Sequence, residues 1–378
     1  MTEVLLRRMA DALDRAAEFV QHHQLKDGRY RLQDQGGSTT LSTAFGAIAH
    51  FFLTGDPDHQ ALAALAATRD SQASFSDPML SPETVTSSLH PYGYLADQTN
   101  YFALRAIRVS GRAVVAPPPL IEPPFDRSVR WVESLNWEDP WLESNRVMFA
   151  LEVFDQDQAA TRTELLGWLA ANFDPETGYW GTDRGATALR GMAGAYHFYG
   201  FLLVYGFPLP DPVTVVRSTL RLQQHDGLFS PGGGGNSCLD MDALDILCLF
   251  EPALPPDERA AVRWAVVAAA EAILAMQSST GGFPESCSAE ARRHAVSRAT
   301  TDPDLLCQTW QGERLIRYSS WPHMEYDATR PDLWSTLCRA VSLVRIAQAL
   351  AGPSPRPCFT RVRGAGIAQT LRVAGGGR

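Results

Sequence analysis

The chain has 378 residues, 45% hydrophobic and 20% charged, with a net charge of −9. That describes a soluble globular protein with room for one large domain or two small ones, and it offers no basic footprint for nucleic acid or an anionic membrane. No apolar run reaches spanning length, and the acid-containing amphipathic start is no signal peptide, so a cytoplasmic protein without an integral membrane segment is expected. Lys26 is the one lysine among many arginines, a bias of high-GC bacterial genomes. The six cysteines form no CxxC pair and read as reduced core thiols.

Helical periodicity places helices, in chain order, at 3–23, 39–54, 59–73, 97–110, 127–136, 143–154, 159–172, 188–205, 211–224, 238–250, 257–277 and 332–350. The odd members mix charges with apolar residues. The even members are richer in Ala, Gly, Leu and Phe and poorer in charge, as "LRGMAGAYHFYGFLLVYG" at 189–206 shows. Exposed-type helices alternating with buried-type helices predict an all-α fold, a single α/α toroid of six helical hairpins in two concentric rings. Four turns echo each other: "LKDGRY" at 25–30, "DPETGYWG" at 174–181, "LQQHDGLF" at 222–229 and "MQSSTGGF" at 276–283. Their glycines at 178, 227 and 282 lie 49 and 55 residues apart, a spacing of one hairpin per repeat. The toroid domain is expected over 1–351. Residues 352–378 have five Arg and no acid among Gly, Pro and Ser, which predicts a flexible tail.

Connections at 74–96 and 284–331 exceed ordinary loop length and suit a lid or pocket wall. The second carries Glu285, Trp310, Tyr318, Trp321, His323 and Glu325. The N-terminal halves of the inner helices face one mouth of a toroid, and there the sequence offers Tyr101, Asn145, Arg190, His197 and Trp334. Asn145 and Arg146 are expected to open their helix. Arg190 and His197 share a helix face, with Gly194 between them leaving room for a ligand.

The helix at 238–250 is apolar on almost every side yet carries Asp240, Asp242 and Asp245. With Leu239 at zero on a helical wheel, Asp242 falls at about 300° and Asp245 at about 240°, on one face, whereas Asp240 falls at about 100°. Ser237 as N-cap and Asp240 three residues on would form a capping pair. Asp242 and Asp245 either pair with Arg190, Arg314, Arg317 or Arg339 or face the central cavity as site residues.

The glycine–aromatic turns resemble the repeats of the terpenoid cyclase and protein prenyltransferase superfamily, whose fold is an α/α toroid. "LDMDALDIL" is similar to the D-x-D-D-T-A segment of class II terpene cyclases. Asp240 and Asp242 take its first two aspartates, while Ala243 and Leu244 stand in the next two places. The resemblance implies that Asp242 donates a proton to an alkene or epoxide, with Asp240 or Asp245 tuning it, and His197 and Glu285 as bases or hydrogen-bond partners. It also implies a site between two helical domains, of which this chain holds one. Laid on prenyltransferase β subunits, Asp242 stands where a zinc-binding Cys belongs and Ser335 where a His belongs, so no metal is expected in that place. An unorthodox zinc site would need Asp242, Cys238 and His323. No cofactor is required by this reading, and Mg²⁺ would enter only with a diphosphate-bearing substrate. The expected activity is an acid-catalysed cyclase or isomerase acting on a small molecule, as a monomer or homodimer. The alternatives are a carbohydrate-active toroid (lyase, hydrolase or epimerase) with Asp242 and His197 as acid and base, and a non-catalytic binding protein or prenyltransferase β-like subunit.

Overall fold

A computed structural model describes residues 2–85, 90–111, 116–122, 127–154, 158–230, 234–286, 308–311, 314–318, 321, 324 and 330–351. Twelve α-helices among them carry the fold as six pairs: α1 (Thr2–His22) and α2 (Thr40–Thr54), α3 (His59–Ala67) and α4 (Tyr92–Val109), α5 (Val129–Glu133) and α6 (Pro140–Val153), α7 (Ala159–Ala171) and α8 (Ala188–Tyr205), α9 (Pro212–Leu220) and α10 (Ser237–Phe250), α11 (Pro256–Met276) and α12 (Leu333–Ala351). The even helices close a ring: α2 packs on α4, α4 on α6, α6 on α8, α8 on α10, α10 on α12, and α12 on α2 again. The odd helices lie outside it, with α1 against α11 and α12, α9 against α10 and α11, and α5 against α7. Burial follows the same division. Helix α1 buries one stripe that includes Leu5, Met9, Leu13 and Val20, whereas α2 buries every residue from Thr40 to Ala49. The fold is the all-α toroid the alternating composition predicts.

Four short strands accompany the helices among the described residues. β1 (Phe283–Pro284) pairs antiparallel with β4 (Pro331–Asp332), and β2 (Gln308–Gln311) with β3 (Arg314–Tyr318). His323, Glu325 and the tail at 352–378 lie outside the described residues, as do the side chains of Trp310 and Tyr318.

The repeat is more regular in space than in sequence. At four turns, the N–H of one residue donates to the carbonyl four residues on, and a second bond reaches back three residues to close the loop. The pairs are Leu25 N–H to Arg29 O with Gly28 N–H to Leu25 O, Asp70 to Ser74 with Ala73 to Asp70, Gln224 to Leu228 with Gly227 to Gln224, and Ser278 to Gly282 with Gly281 to Ser278. The loop at Asp174 is one residue longer, with Asp174 N–H bonded to Tyr179 O and Gly178 N–H to Asp174 O. Each loop needs one left-handed residue: Gly28 (φ 81), Gly178 (φ 78), Gly227 (φ 86), Gly281 (φ 90) and, without a glycine, Ala73 (φ 68). The repeat at 69–75 is silent in sequence because alanine occupies the strained position. In the last turn the left-handed residue is Gly281; at Gly282 a Cβ would come 2.5 Å from the Phe19 ring. The turn at 70–75 also explains why α3 stops at Ala67 instead of residue 73, since Asp70 Oδ1 accepts from Gln72 N–H (2.8 Å) and Ser74 N–H (2.9 Å) and holds the chain out of the helix.

Candidate active site

At four of the five turns the aromatic residue that follows is bolted to the next inner helix. Its backbone N–H donates to a side chain there: Tyr30 to Thr43 Oγ1 (3.2 Å), Phe75 to Asn100 Oδ1 (2.8 Å), Phe229 to Asp240 Oδ1 (2.7 Å) and Phe283 to Thr336 Oγ1 (3.0 Å). Thr43, Asp240 and Thr336 are each the fourth residue of their helix. In α8 that place is Gly191, where a Cβ would lie 3.2 Å from the Tyr179 side chain. Asp240 is therefore one member of a structural series. Its Oδ2 also accepts from Asn236 N–H (3.0 Å) and pairs with Arg339 Nη1 (2.6 Å), all fully buried. The cap of α10 is Asn236, whose side-chain oxygen accepts from Leu239 N–H (3.1 Å), and not the expected Ser237. Glu285, buried at 2% exposure, accepts from the Asn236 amide (2.6 Å) and so braces the cap.

These bolts face outward, toward the turns. Two residues further along a helix the side chain has rotated by about 200° and faces the ring axis. That rule puts Phe45, Phe102, Ala193, Asp242 and Cys338 on the axis at one level. The Phe45 and Phe102 rings agree, with centroids 4.9 Å apart; Trp334, one turn before Cys338 on α12, meets them at 4.7 Å and 5.5 Å. Helix α10 thus presents a stripe of Cys238, Asp242, Asp245 and Leu249. Its two ends, Cys238 and Leu249, are partly accessible, while Asp242 and Asp245 between them are buried.

The three aspartates meet three different fates. Asp240 is bolted to Arg339. Asp245 makes a short ion pair with Arg345 Nε, a partner outside the four arginines expected from sequence. Asp242 has none among the described residues: its Oδ1 is buried without a hydrogen-bond partner there, and its Oδ2 has the Cys238 thiol at 4.0 Å. Burial first, then the negative charges of Asp245 and Asp240, hold the Asp242 carboxyl well above the ordinary carboxylate range. Two arginines of α12 serve two of the three acids of α10, which leaves Asp242 without a cation among the described residues.

Aromatic side chains of the inner helices pack on one another. Tyr101 is buried, edge-on to Phe102 (4.9 Å) and tilted against Phe149 (5.3 Å). Trp334 reaches Trp321 (5.7 Å), whose indole N–H donates to Gln98 Oε1 (3.0 Å). Tyr196, which no sequence motif singles out, is partly accessible on α8. Burial, then Asp245 and Asp242, push its phenol well above its ordinary range, which places it beside the α10 stripe. His197, next to it, is buried; its Nδ1 lies 2.7 Å from Ser144 Oγ, and burial lowers its pKa to about 3.

Three expected site residues have other occupations. Arg190 pairs with Asp139, the N-cap of α6, at 3.3 Å. Asn145 stands in the second turn of α6, since Asp139 and Pro140 open that helix; its amide donates to Trp141 O (2.9 Å), and it is half-buried. Gly194 leaves no room for a ligand. A Cβ there would lie 2.8 Å from Pro140 O, so the missing side chain lets α8 close on α6. Among the described residues no cluster of three or more His, Cys, Asp or Glu is arranged to hold a metal, and Cys238, Cys248 and Cys338 are thiols outside any disulfide. No helix among them is long and apolar enough to cross a membrane.

No protein-family model matches the chain, and comparison with curated proteins gives no match either. Among solved structures the chain is similar to the type II terpene cyclase MstE from Scytonema. An arginine-to-alanine variant of that enzyme, with its substrate geranylgeranyl dihydroxybenzoate, matches with a TM-score of 0.54 at 14% identity, over 92% of this chain and 99% of that one. An aspartate-to-asparagine variant with the same substrate gives 0.52 at 14%, over 93% and 99%. An aspartate-to-alanine variant with the product merosterolic acid A gives 0.54 at 14%, over 92% and 100%. The fold is terpene cyclase-like.

Proposed function

We propose that the protein is an acid-initiated cyclase or isomerase of a linear prenyl-bearing small molecule, with Asp242 as the proton donor. One observation carries this reading: Asp242 is a buried carboxyl on the inner face of a closed helical ring, without a cationic partner, beside two acids that each have one. A general acid strong enough for an alkene must arrive protonated, and desolvation with like charges nearby keeps it so. Transfer of that proton to the terminal alkene leaves a carboxylate on α10 and a tertiary cation in the ring. Phe45, Phe102 and Trp334 offer π faces at that level, and cation–π attraction in a desolvated site is worth about 2 kcal/mol per contact. Asp245, fixed by Arg345, keeps negative charge close to Asp242, and Asp240 holds α10 in register.

The chain spans nearly the whole length of the type II cyclase it matches. That supports a one-toroid cyclase, where the family resemblance alone implied a second helical domain. Proton transfer from Asp242 needs no metal from the protein, and a cytoplasmic location suits its reduced thiols.

The test is deuterium. Protein in D2O with geranylgeranyl dihydroxybenzoate or geranylgeraniol should yield cyclic isomers carrying one solvent deuterium at the carbon protonated first. No labelled cyclic product from either probe, together with cleavage of an oligosaccharide, would assign the site to the carbohydrate-active alternative.

A further inference from the structure

We propose that His197 is the base that ends this reaction, taking the last proton on Nε2, and that Ser144 is the positioning residue that sets its tautomer. The inference rests on the acid-initiated reading above and extends it to the product, a cyclic olefin.

The hydrogen bonds fix the imidazole. Ser144 Oγ lies 3.0 Å from Trp141 O and 2.7 Å from His197 Nδ1. The hydroxyl has one proton; given to the carbonyl, it leaves Ser144 to accept from the ring, which puts the N–H on Nδ1. The lone pair is then on Nε2, for which the described residues supply no hydrogen bond. On the helical phase that sets Ala193 level with Asp242, His197 stands four residues deeper, about 6 Å along the axis, on the adjacent helix about 8–10 Å away. Acid and base then stand on neighbouring inner helices at two depths of one ring, Asp242 nearer the mouth and His197 deeper. Burial lowers the imidazole pKa to about 3, so the ring is neutral whenever a cation forms beside it. A weak base is sufficient here, because a carbocation is a far stronger acid than an imidazolium.

The step balances without a co-reactant. The C–H bond next to the cationic carbon breaks, its electron pair becomes the new C=C bond, and its proton goes to Nε2. The buried imidazolium passes that proton to water as product leaves, and the Asp242 carboxylate regains one from water, so the net change is isomerisation. Without the base, the cation would be captured by water as an alcohol or lose protons to several neighbours.

The experiment compares wild type, His197→Gln and Ser144→Ala in D2O with geranylgeranyl dihydroxybenzoate, reading product identity, label and melting temperature. The expected wild-type product is one predominant olefin. His197→Gln should consume substrate more slowly, each product molecule still labelled, with the olefin fraction cut at least tenfold in favour of alcohols and olefin isomers. Ser144→Ala should move the same ratio part of the way. Nitrogen-15 NMR of the wild-type ring should show the Nδ1–H tautomer, a readout that needs neither variant to fold nor substrate to turn over. An unchanged olefin ratio in His197→Gln, or an Nε2–H tautomer, overturns the proposal while leaving the cyclase reading intact. A wild type that forms no labelled cyclic product refutes the cyclase reading, and this step with it.

Discussion

Replacing Asp242 by Asn separates an acid catalyst from a structural carboxylate, because the two roles move stability in opposite directions. A carboxyl whose folded pKa lies above its unfolded value costs the folded state stability wherever the unfolded chain is ionised, by about 1.4 kcal/mol for each unit of difference. The sign follows from the raised folded value of Asp242. Below about pH 4 both states are protonated and the group is neutral in the balance; as pH rises toward the folded value the unfolded chain gains by ionising, and stability falls. Asn removes that loss. Against it stands the new amide, whose N–H groups meet the same buried surroundings in which Oδ1 has no partner, a cost of about 1–3 kcal/mol. Asp242→Asn should therefore match or exceed wild type in stability at neutral pH, and its advantage should grow as pH rises above the unfolded carboxyl value of about 3.9 toward the raised folded one. Turnover should fall about 10²- to 10⁴-fold, the usual loss of a general acid. Urea unfolding at several pH values, with product quantification on the same samples, reads both effects. A variant destabilised by 3 kcal/mol or more, about the cost of breaking a buried ion pair, with normal turnover per folded molecule, would refute the reasoning.

Asp240→Asn should do the reverse. It breaks the fully buried pair with Arg339, lowering stability by about 3–5 kcal/mol, with a far smaller loss of turnover in the folded fraction; denaturation and activity on one preparation decide it. Asp245→Asn removes a negative charge that raises Asp242, so the alkaline limb of the pH–rate profile should move to lower pH; a limb that stays in place would exclude Asp245 from the tuning. Gly194→Ala sets a Cβ 2.8 Å from Pro140 O, and forcing α8 from α6 should cost about 1–3 kcal/mol in thermal unfolding.

Much of this protein is legible in its sequence. Helix periodicity and the alternation of charged with apolar helices are local properties of the chain, and they determine two rings of six helices without any knowledge of contacts. The phase of α10 likewise follows from 3.6 residues per turn, which is why the order of residues alone separates Asp242 and Asp245 from Asp240. Partnership is another matter. Asp240 meets Arg339 across 99 residues and Asp245 meets Arg345 across 100, and no spacing rule couples positions so far apart. The same holds for Gly194, which reads as a ligand gap from its own helix and proves to be a helix contact once Pro140 is beside it. Ala73 hides a fifth repeat because a left-handed backbone imposed by its loop leaves no mark in the residue type. Which of three buried acids lacks a cation depends on how α12 lies against α10. The packing of consecutive inner helices brings those two together, and there the tertiary structure, by distributing two arginines among three carboxylates, decides which one is left without a cation.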